Sequence, residues 1–92
     1  MVTTEQQKLT NAYNEFICDY VEAHGQNQAT RDEAHERAAW CVNLGQSVAD
    51  MFVKAKLDTS SVDYVLMSIP EIDPESIYLV ACAVAVALEA NQ

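Results

Sequence analysis

Glycine and proline are scarce in this chain, with two of each among 92 residues. Such a composition favours helices joined by short connections over a chain rich in turns. Half of the residues are apolar, which is enough to form a core and excludes wholesale disorder. The length fits one domain, so we predict a single helical domain over residues 1–92.

Basic residues are also few: five lysines and arginines stand against fourteen acids, for a net charge of −9. Nucleic acid and anionic membranes both need a basic binding surface, so we expect neither as a direct partner. The segment 59–92 carries five acids and no lysine or arginine. This charge favours a protein partner with a basic surface, because opposite charges steer the encounter.

The three cysteines, Cys18, Cys41 and Cys82, have no spacing typical of a disulfide framework or a zinc site. We interpret them as reduced thiols in helical core positions, with Cys18 the most exposed, and expect a cytoplasmic protein. The first residues show no signal peptide. The longest apolar run, residues 77–88, is too short to span a bilayer, which needs about 20 residues.

Local signals predict two long helices in the first two thirds of the chain. A capping box at Thr3 or Thr4 begins the first helix, and Gly25 ends it. A second capping box, Thr30 with Glu33, predicts a helix from about residue 31 to residue 56. Gly45 lies inside this helix at a cost of up to about 1 kcal/mol, so it marks a close helix crossing or a bend.

Two further helices follow. A short one is predicted over residues 62–68, before Ile69 and Pro70. The last begins at Asp73 as N-cap, with Pro74 in first position and Glu75 in the first turn, and runs to about Ala90. We therefore predict an all-α fold: a small bundle of two long antiparallel helices, a short helix, and an apolar C-terminal helix packed across them.

No pattern in the sequence predicts catalysis. The segment Asp32-Glu33-Ala34-His35 spells the acidic box of helicases, but their chemistry also needs a glycine-rich phosphate loop, which this chain lacks. Asp32 and His35 have the spacing of carboxylate-bridged metal sites, yet no second pair of this kind is present. We expect no enzyme, no metal and no cofactor.

The last helix is apolar on every side over residues 77–88. A helix of this kind must be surrounded, and one small chain has few elements with which to do so. We therefore predict a homodimer in which the helix packs against its copy, although the centre of a single-chain bundle is the alternative. The predicted dimer interface comprises Ile77, Val80, Ala81, Val84, Ala85 and Leu88.

Acids at helical spacing in the first helix suggest a partner surface, or else simply a solvated face. Trp40 lies beside the apolar stripe of the second helix and could anchor a partner. The predicted partner-binding residues are Glu15, Asp19, Glu22, Trp40, Asp63, Glu71, Asp73 and Glu75. The leading hypothesis is a non-enzymatic acidic interaction module, an inhibitor that occludes a basic, for example nucleic-acid-binding, surface. The alternative is a structural subunit of a larger complex.

Overall fold

The computed structural model describes residues 2–91, which are largely helical and contain no strand in that range. Helix α1 covers Thr4–His24, α2 covers Gln28–Ala55, α3 covers Val62–Met67 and α4 covers Pro74–Ala90. A 3₁₀ turn, Thr59–Ser61, precedes α3. The predicted all-α bundle is confirmed, with two long helices followed by a short one and an apolar C-terminal one.

The first helix begins and ends as its sequence predicts. The Thr3 hydroxyl accepts a hydrogen bond from the Gln6 backbone at 3.1 Å, and the Thr3 N–H donates to the Gln6 side chain at 3.0 Å. This reciprocal pair is the capping box, and it satisfies two donors that a helix start leaves unpaired. Gly25 ends the helix with φ +117°, a backbone conformation that side chains disfavour.

The start of α2 corrects the second predicted capping box. The helix begins at Gln28, three residues before the predicted start, because the Asn27 side chain accepts a hydrogen bond from the Thr30 N–H at 2.9 Å. Asparagine is as good an N-cap as the predicted threonine. Thr30 is instead buried inside the first turn, and Glu33 accepts a hydrogen bond from Tyr20 on α1.

Helices α2 and α4 run in the same direction, and α1 runs opposite to both. Arg37 near the start of α2 pairs with Asp73 just before α4, and Gly45 further along lies beside Val80 to Val84. From Arg37 to the end of α2 the chain advances about 27 Å. Residues 56–73, which include α3, must return over that distance before α4 begins.

The apolar helix α4 is enclosed largely by its own chain. It packs against α1, α2 and α3, and Leu79, Val80 and Val84 are at most 1% exposed. Every residue from Leu79 to Glu89 is buried or half-buried. The expectation that one copy cannot surround this helix is therefore wrong for its central turns, because three other helices of the same chain cover them.

Gly45 allows α2 and α4 to touch backbone to backbone. A Cβ atom placed on Gly45 would lie 2.5 Å from the Ala83 Cβ and 2.9 Å from the Val80 carbonyl oxygen. No real side chain tolerates those distances. The predicted close helix crossing is confirmed, and α2 remains one continuous helix through it.

The molecule is flat, with Cα extents of 43 × 35 × 15 Å. Its accessible surface is 6129 Å². A compact monomer of this mass exposes about 5,300 Å², so this chain exposes roughly 800 Å² more. Within residues 2–91, no helix is both long and apolar enough to cross a membrane.

Candidate functional site

A groove of about 740 Å³ lies between the second half of α1 and the first two turns of α4. The two helices are antiparallel here, so residues from 12 to 24 on one wall face residues from 75 to 79 on the other. The lining residues are Ala12, Glu15, Phe16, Asp19, Tyr20, Ala23, His24, Glu75, Tyr78 and Leu79.

Aromatic rings form much of the groove surface. On α1, the ring of Phe16 stacks on the ring of Tyr20 with centroids 6.1 Å apart. The ring centroids of Tyr20 and His24 are 4.3 Å apart. The Tyr20 hydroxyl donates to the Glu33 carboxylate on α2 at 2.6 Å, and this hydrogen bond raises the pKa of Tyr20. The α1 wall is thus linked to α2 through the Tyr20 side chain.

Tyr78 is the aromatic residue of the α4 wall, and 61% of it is exposed. Its pKa is raised, first by the charge of the neighbouring Cys82 when ionised and by a hydrogen bond to it, with further contributions from Glu15 and Glu5. Tyrosine combines a large apolar face with a polar tip, which suits a surface that alternates between water and a partner.

Three acids line the groove: Glu15 and Asp19 on α1, and Glu75 on α4. No lysine or arginine is among the described residues that line it. These acids give both walls of the groove a negative charge, and all three are exposed to solvent. This arrangement can attract the basic side chains of a protein.

The predicted partner-binding residues do not form one site. The structure brings Glu15, Asp19 and Glu75 together at the groove, whereas Glu22 is exposed on α1 without lining it. The other acids of the set, Asp63 and Glu71, are exposed but lie outside the groove.

Asp73 and Trp40 lie at the junction of α2 and α4, outside the groove. The Asp73 carboxylate accepts a hydrogen bond from Arg37 at 2.6 Å, and its side chain makes no cap hydrogen bond to α4. The same guanidinium lies 6.0 Å from the centre of the half-exposed Trp40 ring. Asp73 is thus engaged within the chain.

The predicted dimer interface is not an exposed surface in one copy of the chain. Val80 and Val84 are 0% and 1% exposed, and they face the core. The remaining four are half-buried: Ile77, Ala81, Ala85 and Leu88. A second copy could contact only this half-buried stripe without opening the bundle, and the homodimer stays a prediction.

The sequence interpretation missed the aromatic part of the groove. Phe16 and Tyr20 recur at helical spacing with the other apolar residues of α1, a pattern that predicts a core position, and Tyr78 lies within the apolar run 77–88. Tyr78 is the residue of that run with a polar tip, and this is the signal that could have marked it as a surface residue.

The residues considered for chemistry contact other side chains. Asp32 accepts a hydrogen bond from Gln28 at 2.8 Å, and His35 contacts the Tyr13 hydroxyl at 3.4 Å. Among residues 2–91, no three His, Cys, Asp or Glu side chains are grouped so as to hold a metal ion.

The cysteine thiols divide into one exposed and two buried groups. Cys18 is exposed, while Cys41 and Cys82 are buried. Burial raises the pKa of both buried thiols, which disfavours the reactive thiolate.

Comparison with models of protein families gives no match, and comparisons with curated proteins and with solved structures give none either.

Proposed function

We propose that this protein is a non-enzymatic protein-binding module that holds a basic segment of its partner in the groove between α1 and α4. One observation carries the proposal. Three of the predicted acids converge, from two helices, on a groove whose surface is aromatic and which no lysine or arginine lines. A groove that is apolar along its surface and charged along its edges is suited to a basic amphipathic ligand.

The two parts of the groove contribute differently to binding. The acids Glu15, Asp19 and Glu75, together with the net charge of −9, accelerate the encounter with a basic surface and make it depend on salt. The rings of Phe16, Tyr20 and Tyr78 supply contact area that becomes desolvated, and such aromatic anchors carry most of the free energy of binding in protein interfaces.

Occlusion of the partner's basic surface is the action that follows. A basic segment held here is unavailable to nucleic acid, because the same lysines and arginines would have to contact phosphates. The module would thus inhibit a nucleic-acid-binding partner by competition. The three free cysteines fit a reducing compartment, and we place the protein in the cytoplasm.

Charge reversal tests the role of the groove. In a triple variant Glu15→Lys, Asp19→Lys and Glu75→Lys, we expect binding to a basic partner to weaken by at least tenfold and its salt dependence to flatten. The measurement is affinity from 50 to 300 mM salt, with the lysine-rich tail of a histone as a defined probe.

The matched control reverses the same number of charges on the exposed face of α2, with Asp32→Lys, Glu36→Lys and Asp50→Lys. If net charge alone attracts the probe, both triple variants lose affinity equally and the groove has no special role. If the groove is the site, the control retains most of the affinity at moderate salt.

The second candidate, a structural subunit that assembles with copies of itself or with other chains, is favoured by the exposed surface. Two large side chains one turn apart on α3, Tyr64 and Met67, are 77% and 73% exposed. Light scattering after size exclusion measures the mass directly: twice the mass of one chain supports a homodimer.

Expression separates the two candidates as well. A permanent subunit produced without its partner is expected to aggregate, because its interface remains exposed. An acidic inhibitor is expected to be soluble and stable by itself.

A further inference from the structure

Resting on the proposed function, we infer that the partner segment bound in the groove is an amphipathic α-helix of about three turns, with apolar anchors against the aromatic surface and lysine or arginine on both flanks. The walls, the length and the charge positions of the groove each point to this occupant rather than to an extended peptide.

The walls offer no backbone ladder to an extended chain. Both are α-helices, α1 and α4, whose backbone groups are bonded within each helix except at the C-terminal end of α1 and the first turn of α4. An extended peptide placed between them would leave its own backbone groups without partners as it became desolvated. A helix satisfies its backbone internally and presents only side chains, which is the usual way that helical grooves bind peptides.

The groove length fits a short helix. Its α1 wall runs from Ala12 to His24, a rise of about 18 Å, whereas its α4 wall runs from Glu75 to Leu79, a rise of about 6 Å. A bound helix of three turns would lie along the α1 wall and contact α4 over about one turn. Its apolar anchors would recur at i, i+3 or i+4, and i+7, so that successive anchors contact the rings of Phe16 and Tyr20 on α1, with Tyr78 on the opposite wall.

The acids of the groove have the same spacing as basic residues one turn apart on a bound helix. Glu15 and Asp19 are four residues apart on α1, so their side chains recur about 6 Å apart along one rim. Two basic residues at i and i+4 of a bound helix have the same separation. Glu75 stands on the opposite wall, so a third cation belongs on the other flank of the anchors.

Three labelled 14-residue peptides of identical charge test the inference by fluorescence anisotropy with the intact protein. The first carries leucines at helical spacing with lysines on both flanks. The second is the same peptide with two central proline substitutions, which prevent a helix. The third has the same composition as the first, with leucine and lysine alternating as in a strand.

We expect the helical peptide to bind at least tenfold more tightly than the other two and to gain helical circular dichroism on binding. Its affinity should fall at least fivefold with Tyr78→Ala and remain unchanged with Tyr64→Ala, an exposed tyrosine of α3. NMR shift changes should cluster on the groove walls.

Other results overturn one claim or both. Equal binding of all three peptides at the groove overturns the helical occupant and leaves the basic-segment module standing. Binding of none overturns the module itself and the inference with it. Tight binding of the helical peptide with shift changes outside the groove overturns the assignment of this site.

Discussion

Helix α4 meets α2 and α1 in opposite ways. Against α2 it packs so closely that not even a methyl group fits at Gly45, whereas against α1 it leaves a groove of about 740 Å³. Side-chain size accounts for the difference. Ala83 faces Gly45 at the α2 contact, while Tyr78 and the rings of α1 line the groove. Small residues let helix axes approach, and large ones hold them apart.

The comparison teaches that one apolar helix can serve two purposes. The α2 contact buries Cys41, Val80 and Val84, and the exposed Arg37–Asp73 pair lies at its edge. The α1 contact keeps an aromatic surface partly in water, which lowers its contribution to stability and leaves it available to a partner. Substitutions on the two sides should therefore separate into effects on folding and effects on binding.

The largest expected effect is on the close contact. Gly45→Ala should destabilise the fold by about 2 kcal/mol, because the new methyl group collides with the α4 backbone and overpacking costs more than the helix propensity gained. Urea unfolding followed by circular dichroism measures it.

The control for that variant is Ser47→Ala, an exposed position two residues along the same helix. It gains helix propensity without meeting α4, so its free energy of unfolding should be equal or slightly higher. A Gly45→Ala variant as stable as its parent would show that α2 and α4 can separate at no cost, and the contrast between the two contacts would then be wrong.

Tyr78→Ala tests the contact between α4 and α1. The side chain is largely exposed, so its loss should leave the unfolding transition nearly unchanged while binding of a basic partner weakens about tenfold. Calorimetric titration with the histone-tail probe and a thermal melt measure the two properties on one sample. A large loss of stability would instead make Tyr78 part of the core.

A smaller effect is expected at the junction of α2 and α4. Asp73→Asn breaks the pair with Arg37, but both side chains are exposed, so the fold should lose less than about 1 kcal/mol. High salt should reduce the difference further, since screening weakens surface pairs. A loss that persists in 1 M salt would argue that Asp73 acts through the start of α4 rather than through its charge.

The smallest expected effect on the stability of the fold comes from ionisation of the cysteine thiols. We expect Cys18 to react rapidly with a thiol reagent, and Cys41 and Cys82 to react only after unfolding. Because burial raises the pKa of both buried thiols, their stabilising contribution is complete below the ordinary thiol pKa of about 8.5 and is lost as the pH rises through the folded-state value.

Counting reactive thiols with and without Cys18→Ser checks that only Cys18 reacts in the folded protein. Urea unfolding midpoints between pH 7 and pH 10 check the loss of stability at high pH. Three rapidly reacting thiols in the folded protein would mean that α4 is far less protected than its packing implies.

Local signals determined the helices. The Thr3 capping box, Gly25 and Pro74 act through contacts within a few residues, so they could be interpreted without knowing the fold, and the helices begin or end beside them. The start of α2 shows the limit of this reasoning, because the sequence predicted Thr30 as the cap, whereas Asn27, three residues earlier, caps the helix. The close crossing at Gly45 was also foreseen, since a glycine inside a long helix needs such a reason.

The candidate site was foreseen only in part. Acid spacing identified Glu15 and Asp19, and the acids of the segment 63–75 included Glu75. Nothing local indicated that these three line one groove while Asp73 pairs with Arg37. The aromatic surface was missed because a helical stripe marks which residues avoid water, not which of them remain half exposed beside a neighbouring helix.

The sequence by itself determined that the chain is acidic, that it is helical, and where most helices begin and end, because those properties depend on composition and on neighbours along the chain. Only the tertiary structure decided that α4 runs parallel to α2, that its central turns are covered by the same chain, and that a groove opens towards α1. An apolar run such as residues 77–88 has no polar face to orient it. Its direction and neighbours are therefore set by which side chains fit together, Gly45 with Ala83 on one side and Tyr78 beside α1 on the other.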